Sequence, residues 1–172
     1  QSIECLSLFC CKTLMEEITY EIKDYMSIIL EQKRYQYSCF ETILNSIMEE
    51  LEKAPVEFHE KILTKAVNCH KDIECIYILD DKGMQKGDTV CGFEVREDEH
   101  SLFQPSKSGT DHSLKEYYYF ISSLHLTSYY TDPYISLATG LLCRTMAKKF
   151  CNKQHNYILC IDFIDSRTCN LL

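Results

Sequence analysis

Glycine and proline are scarce in this chain, with five Gly and three Pro among 172 residues. Between Lys12 and Lys53 there is neither, so the first third of the chain is not a loop-built framework and reads as helix. No run of about 20 apolar residues occurs, so no segment is suited to cross a membrane as a helix. Basic clusters are missing too: Lys33-Arg34 and Lys148-Lys149 are isolated pairs, and the net charge is −8. A nucleic-acid partner needs a basic face that displaces counterions, and that class is set aside. There is no CxxC, no HExxH and no close His pair at helical spacing, which removes the usual zinc patterns. The nearest grouping, Cys69-His70 with Cys75, fits a helix end followed by a core strand. Phosphate-binding loops, dinucleotide fingerprints and nucleophile elbows are likewise lacking. Cys160 and Arg167 stand one residue too far apart for a phosphatase loop, so no cysteine nucleophile is expected. The expectation is a non-enzymatic protein with no catalytic residue, no metal and no cofactor.

What is present fits one globular domain. A chain of 20.2 kDa with 45% hydrophobic residues buries about 70% of its unfolded surface. Eleven cysteines are many, yet Cys39, Cys75, Cys143 and Cys160 lie in apolar helical or strand patterns. There they behave as small buried hydrophobes, which points to reduced thiols and a cytoplasmic location. The opening QSIECLSLFCCK lacks a basic front and a small-residue cleavage site, so it does not read as a signal peptide. The chain starts on Gln, which leaves an upstream segment, and with it an extracytoplasmic location, as the alternative.

The pattern divides the chain into a helical segment, 1–54, and a mixed core, 55–172, which together make one domain. Leu14, Ile18, Ile22, Met26 and Ile29 recur at spacings near four, and Phe40, Leu44, Ile47 and Leu51 resume them. A helix that long would extend about 60 Å. Either it breaks near 31–34 or part of it packs on a second copy as a dimer helix. Pro55 starts a second helix over Val56–Cys69. Strands are expected at Ile73–Leu79, within Met84–Val95, and at Leu126–Thr131, Leu141–Phe150 and Tyr157–Ile164. A polar loop spans Glu97–His112, and a short helix runs over Ser113–Ser123, with Ser113 and Glu116 as a capping box. The fold class is α+β: an antiparallel sheet of about five strands with a long N-terminal helix and a second helix.

The densest passage is GTDHSLKEYYYFISSLHLTSYYTDPYISLATG, Gly109–Gly140, which holds six of the twelve tyrosines. A tyrosine has an apolar ring and a polar tip, so a cluster of them suits the wall of a pocket for a small polar molecule. Lys115 and nearby carboxylates could hold the two ends of a zwitterion. Against this stand plainer readings. Tyr117, Tyr118 and Tyr119 point about 100° apart on a helix, so they do not all face one pocket. Asp132 before Pro133 suits a turn. Asp162, inside the apolar ILCIDFI, must be paired or ligand-bound unless it faces solvent.

Four phrases together resemble a Cache-type sensor domain, the PAS-like fold of bacterial receptors: IECIYILDDKG, GTDHSLKEYYYF, TSYYTDPYISLATGLLC and NYILCIDF. They cover about residues 70 to 165 and are most similar to small stand-alone single-Cache proteins of epsilon-class bacteria. The resemblance implies a signal-sensing domain that binds a carboxylate- or amine-bearing metabolite. Its ligand clamp would fall on Lys115, Tyr117, Tyr118, Asp132, Tyr134 and Asp162. Amino-acid-binding members commonly carry Arg and Trp where this chain has Lys115 and Tyr117, and Lys offers a point charge in place of a bidentate fork. The ligand is therefore left open. Two alternatives stand beside this one: a protein-interaction adaptor with a vestigial pocket, and a detached input module of a larger receptor or cyclic-dinucleotide enzyme. A homodimer through the N-terminal helix is expected; the downstream partner is not legible.

Overall fold

The four-residue apolar spacing of the first third is realised as one helix, α1 (Ser2–Lys53), which does not break at 31–34. The computed structural model describes residues 2–92 and 102–165, with side chains from residue 12 onward. The chain forms two compact units, one ending at Glu41 and one beginning at Thr42. In the first, Leu14, Ile18, Ile22 and Met26 stand 48–57% exposed along one helix face. In the second, Leu44, Ile47, Met48 and Leu51 are buried.

Pro55 precedes a short 3-10 turn, Val56–Phe58, that feeds α2 (His59–Cys69). Helix α2 buries Leu63, Ala66 and Val67 and packs on the first two strands. The expected second helix is therefore split into a 3-10 entry and an α-helix. A six-stranded antiparallel sheet follows, made of β1 (Ile73–Asp80), β2 (Gln85–Cys91), β3 (Ser128–Tyr130), β4 (Tyr134–Ile135), β5 (Leu142–Asn152) and β6 (His155–Ile164). Its order is β2-β1-β6-β5-β3, with β4 also pairing β5. The sixth strand, β4, is only two residues long and lies inside the passage read as a turn after Asp132-Pro133.

Strands β1 and β6 are buried on both faces over most of their length, which is why they read as largely apolar runs and not as alternating ones. One face carries Tyr77, Leu79, Ala147, Ile158 and Cys160, covered by Tyr117 and Ile121 of α3 (Glu116–Ser123). Each such aliphatic side chain contributes about 1.5–3 kcal/mol by leaving water. The opposite face meets the end of α1, where Lys148 Nζ donates to Asn45 Oδ1 (2.8 Å). Asn152 Nδ2 donates to the carbonyls of Leu51 (2.6 Å) and Ala54 (2.7 Å), which the helix end leaves without partners of its own. At the far end of β6, Arg144 Nε donates to the fully buried Asp165 carboxylate (3.0 Å).

Two local expectations need correcting. Helix α3 begins at Glu116 with Lys115 as its cap residue, not at Ser113. The Ser113 N–H instead donates to Asp111 Oδ1 (2.8 Å), an Asx turn that competes with helix initiation. The β5–β6 hairpin is also tighter than the loop expected over Asn152–Asn156, since Asn152 already pairs with His155. Lys153 takes the left-handed conformation (φ 57°) that the tight turn requires. Parts of two other expectations, strand at 93–95 and loop at 97–101, lie outside the described residues.

Candidate functional site

Between the sheet, the start of α3 and the segment 104–112 lies a cavity of about 380 Å³. Its position follows from strand register. Thr145 of β5 faces Asp162 of β6, and Asp162 faces Cys75 of β1, so one sheet face presents these side chains together. The segment before α3 is held along β2: Thr89 N–H donates to Ser106 O (3.1 Å), and Gln85 N–H to Thr110 O (2.9 Å). Gln104 N–H reaches Leu137 O (2.8 Å) and ties the same segment to the β4–β5 turn. Each of these regions supplies part of the wall.

Five of the six residues singled out in the sequence line this cavity: Lys115, Tyr117, Asp132, Tyr134 and Asp162. Tyr118 does not. It turns away by one helical step, donates to Asp81 O (2.8 Å) and lies over Gly83, lining a separate groove with Asp81, Ser122 and Lys149. The sequence expectation for Tyr118 is corrected accordingly: it secures the β1–β2 turn.

The floor is a continuous chain of hydrogen bonds. Tyr77 Oη donates to Tyr117 Oη (2.8 Å). His112 bonds Tyr117 Oη through Nδ1 (2.8 Å) and Gln85 Oε1 through Nε2 (2.9 Å). A carbonyl oxygen only accepts, so Nε2 carries the imidazole proton and Nδ1 accepts from Tyr117. Gln85 Nε2 then donates to Thr89 Oγ1 (2.9 Å) and to Ser106 O (3.2 Å). Burial, then the nearby Lys115 ammonium, hold His112 below its ordinary pKa, which agrees with a neutral ring. Burial likewise pushes the Tyr117 hydroxyl up, so it stays a donor. The chain fixes the aromatic wall and links α3 to β1 and β2.

A second group surrounds Asp162, which is 5% exposed. Thr145 Oγ1 donates to its Oδ1 (2.7 Å), Tyr134 Oη lies 2.7 Å from Thr145 Oγ1, and Tyr134 also reaches Oδ1 at 3.4 Å. Burial first, then the neighbouring Glu74 carboxylate, push Asp162 up to about 7, against the pull of the two hydroxyls and Lys115. Glu74 is itself fully buried and accepts from Thr139 through Oε1, while its Oε2 has no hydrogen-bond partner among the described residues. Asp162 lines the interior of the cavity, while Glu74 lies outside its lining and acts on Asp162 only through its charge.

At the rim, Lys115 and Asp132 are exposed, and the side chain of neither makes a hydrogen bond or ion pair with another described residue. Glu116, also at the rim, is engaged by the Tyr129 hydroxyl. A lining that combines aromatic rings, a neutral hydrogen-bonded floor, one uncommitted cation and uncommitted carboxylate oxygen can hold a small polar molecule from both ends. Among the described residues, no group of three or more acidic, His or Cys side chains is placed to hold a metal ion. Tyr77, Gln85, His112, Thr131 and Thr145 were not singled out in the sequence. Only His112, inside GTDHS beside the tyrosine cluster, carried a local signal.

No family pattern matches the chain, and no curated protein does. Solved structures do. The ligand-binding domain of the Campylobacter jejuni chemoreceptor Tlp3 with L-valine aligns with TM-score 0.54 and 11% identity, over 74% of this chain and 52% of that one. The sensory domain of the same receptor with isoleucine bound gives TM-score 0.54 and 12% identity, over 74% and 51%. The Bacillus subtilis YkuI protein, which has an EAL domain and was solved with c-di-GMP and calcium, gives TM-score 0.54 and 21% identity, over 79% and 33%. The present chain thus spans from one third to about half the length of the proteins it matches. At these identities the likeness is one of fold alone, a PAS-like α+β fold of the kind expected from the motifs of residues 70 to 165.

Proposed function

We propose that this chain is a non-catalytic, signal-sensing domain that binds a small metabolite bearing an amine and a carboxylate in the cavity beside α3. The observation that carries this reading is the pairing of an uncommitted Lys115 with uncommitted Asp132 around one aromatic-walled cavity of about 380 Å³. That volume lies in the range of small-molecule sites. Lys115 would meet the carboxylate as a point charge. Asp132, with Asp162 deeper in the cavity, would meet the ammonium, and Tyr117 and Tyr134 would flank the remainder. The Tlp3 domains hold isoleucine or L-valine in a related fold, which supports the amino-acid class for this cavity. We infer further that the exposed face of α1 carrying Leu14, Ile18, Ile22 and Met26 pairs with a second copy of the chain.

The test is a thermal-shift screen of amino acids, small carboxylates and small amines. A ligand at about 100 times its dissociation constant stabilises the folded state by ~2.7 kcal/mol, which for a chain this long raises Tm by roughly 5–11 °C. The expected hit carries both charges and is lost in Lys115→Ala. A screen without any shift on folded protein would favour the adaptor reading, in which the cavity is vestigial.

A further inference from the structure

Strands β1 and β2 meet in a pair of cysteines. Cys75 and Cys91 are register partners, and their Sγ atoms are 2.9 Å apart. The Gly92 N–H donates to Glu74 O (2.8 Å), so the hydrogen bonds fall on the flanking residues and the two cysteines form a non-hydrogen-bonded pair. Such pairs hold their α-carbons about 4.5 Å apart, within the span a disulfide bridges. Gly92 permits this approach, since a Cβ there would stand 2.4 Å from Ile73 O. β2 is an edge strand, Cys91 is half-buried and Cys75 is fully buried. Cys91 is therefore the more exposed residue of the two. The other cysteines with described side chains have no such partner. Cys143 and Cys160 are buried singly, while Cys69 and Cys151 are exposed on separate elements.

We propose that Cys75 and Cys91 form a reversible cross-strand disulfide by exchange with a small-molecule disulfide of the glutathione type. Cys91 Sγ attacks one sulfur of that disulfide, its S–S bond breaks, and one small thiol leaves with the proton given up by Cys91. Cys75 Sγ then attacks Cys91 Sγ in the mixed disulfide, and the second small thiol leaves with the proton of Cys75. The two protein thiols are oxidised by loss of two hydrogens, and the small disulfide is reduced to two thiols. The order follows from the local chemistry. The hydrogen bond from Cys75 holds the Cys91 thiol below its ordinary pKa, while that bond and burial hold Cys75 above its own. The thiolate is the nucleophile, so Cys91 attacks first and Cys75 resolves.

The bond would fasten the edge strand beside the cavity. Thr89, two residues before Cys91, lines the wall, and Cys75 is also the register partner of Asp162. This inference is independent of which ligand, if any, the cavity takes.

The test uses the full folded chain incubated with oxidised glutathione, then alkylated in denaturant and digested without reductant for mass spectrometry. The expected result is a linked peptide joining Cys75 to Cys91 that disappears on adding reductant. In Cys91→Ser the link is absent and Cys75 is recovered alkylated. Wild-type protein in which Cys75 is fully alkylated, with Cys91 free or carrying only glutathione, would overturn the proposal. That wild-type digest decides the matter even if the variant does not fold.

Discussion

Asp162 shows how a single residue couples stability to the chemistry of the cavity. Its folded pKa of about 7 lies above the ordinary value near 3.9, because burial and Glu74 outweigh Thr145, Tyr134 and Lys115. The folded state therefore keeps a proton that the unfolded chain has already lost. The stabilisation is complete below about pH 4 and is lost as pH rises towards 7, a change of roughly 4 kcal/mol. Asp162→Asn should flatten that part of the profile, as read from urea unfolding across the window. A ligand ammonium placed near Asp162 favours its ionised form, so binding near neutral pH should release a proton. Calorimetry in buffers of different ionisation enthalpy checks this. Tyr117→Phe should cost roughly 1–3 kcal/mol, since His112 Nδ1 loses its donor and the Tyr77 hydroxyl its acceptor. At this scale much of the lining of the candidate cavity was legible. Lys115, Tyr117, Asp132, Tyr134 and Asp162 stood out by residue type and motif. Tyr118 did not resolve correctly because adjacent helical side chains diverge, and only packing decides which one faces inward. Gln85 was not legible because its role depends on contact with His112, distant in sequence.

Among the elements, α1 makes two demands that a sequence pattern states only in part. Its C-terminal turns are buried and end on the Asn152 amide, a contact across the fold that no local cap signal announces. Asn152→Ala should remove the amide donor shared by those carbonyls, leaving only His59 Nε2 (3.2 Å) near Leu51 O, and destabilise the protein by roughly 1–3 kcal/mol in denaturant unfolding, with little change in m-value. Its N-terminal part has the opposite problem, an apolar face left in solvent at Leu14, Ile18, Ile22 and Met26. Analytical ultracentrifugation is expected to show a dimer for the wild-type chain and a monomer for the double substitution Ile18→Lys, Ile22→Lys. A wild-type monomer at high concentration would contradict that reading. Strand positions were readable from apolar runs and turn residues, because burial on both faces leaves few polar interruptions, Glu74 in β1 and Asp162 in β6. The start of α3 was not, since Asp111 and Lys115 compete for the role that a Ser113 cap would play. The two-residue β4 is too short to carry a period.

For the molecule as a whole, the antiparallel sheet, the inserted segment and the helix before the first strand occur in the order that the motifs imply. The sheet supplies rigid positions for Thr145 and Asp162, and the segment 104–112 closes the wall over them through backbone hydrogen bonds to β2. Binding can shift such a domain between states only by the difference in affinity for them. If the chain senses as proposed, its response would arise where ligand contacts depend on the position of that segment. In the proposed function the cavity holds both ends of a zwitterion. The most direct measurement is a calorimetric titration of amino acids, set beside analogues lacking either the amine or the carboxylate. Saturable binding is expected that weakens at least about tenfold, or ~1.4 kcal/mol, when either charge is removed. No saturable binding is expected in the double variant Lys115→Ala, Asp132→Ala. Absence of saturable binding by wild-type protein, or binding that survives in the double variant, would contradict the proposed function.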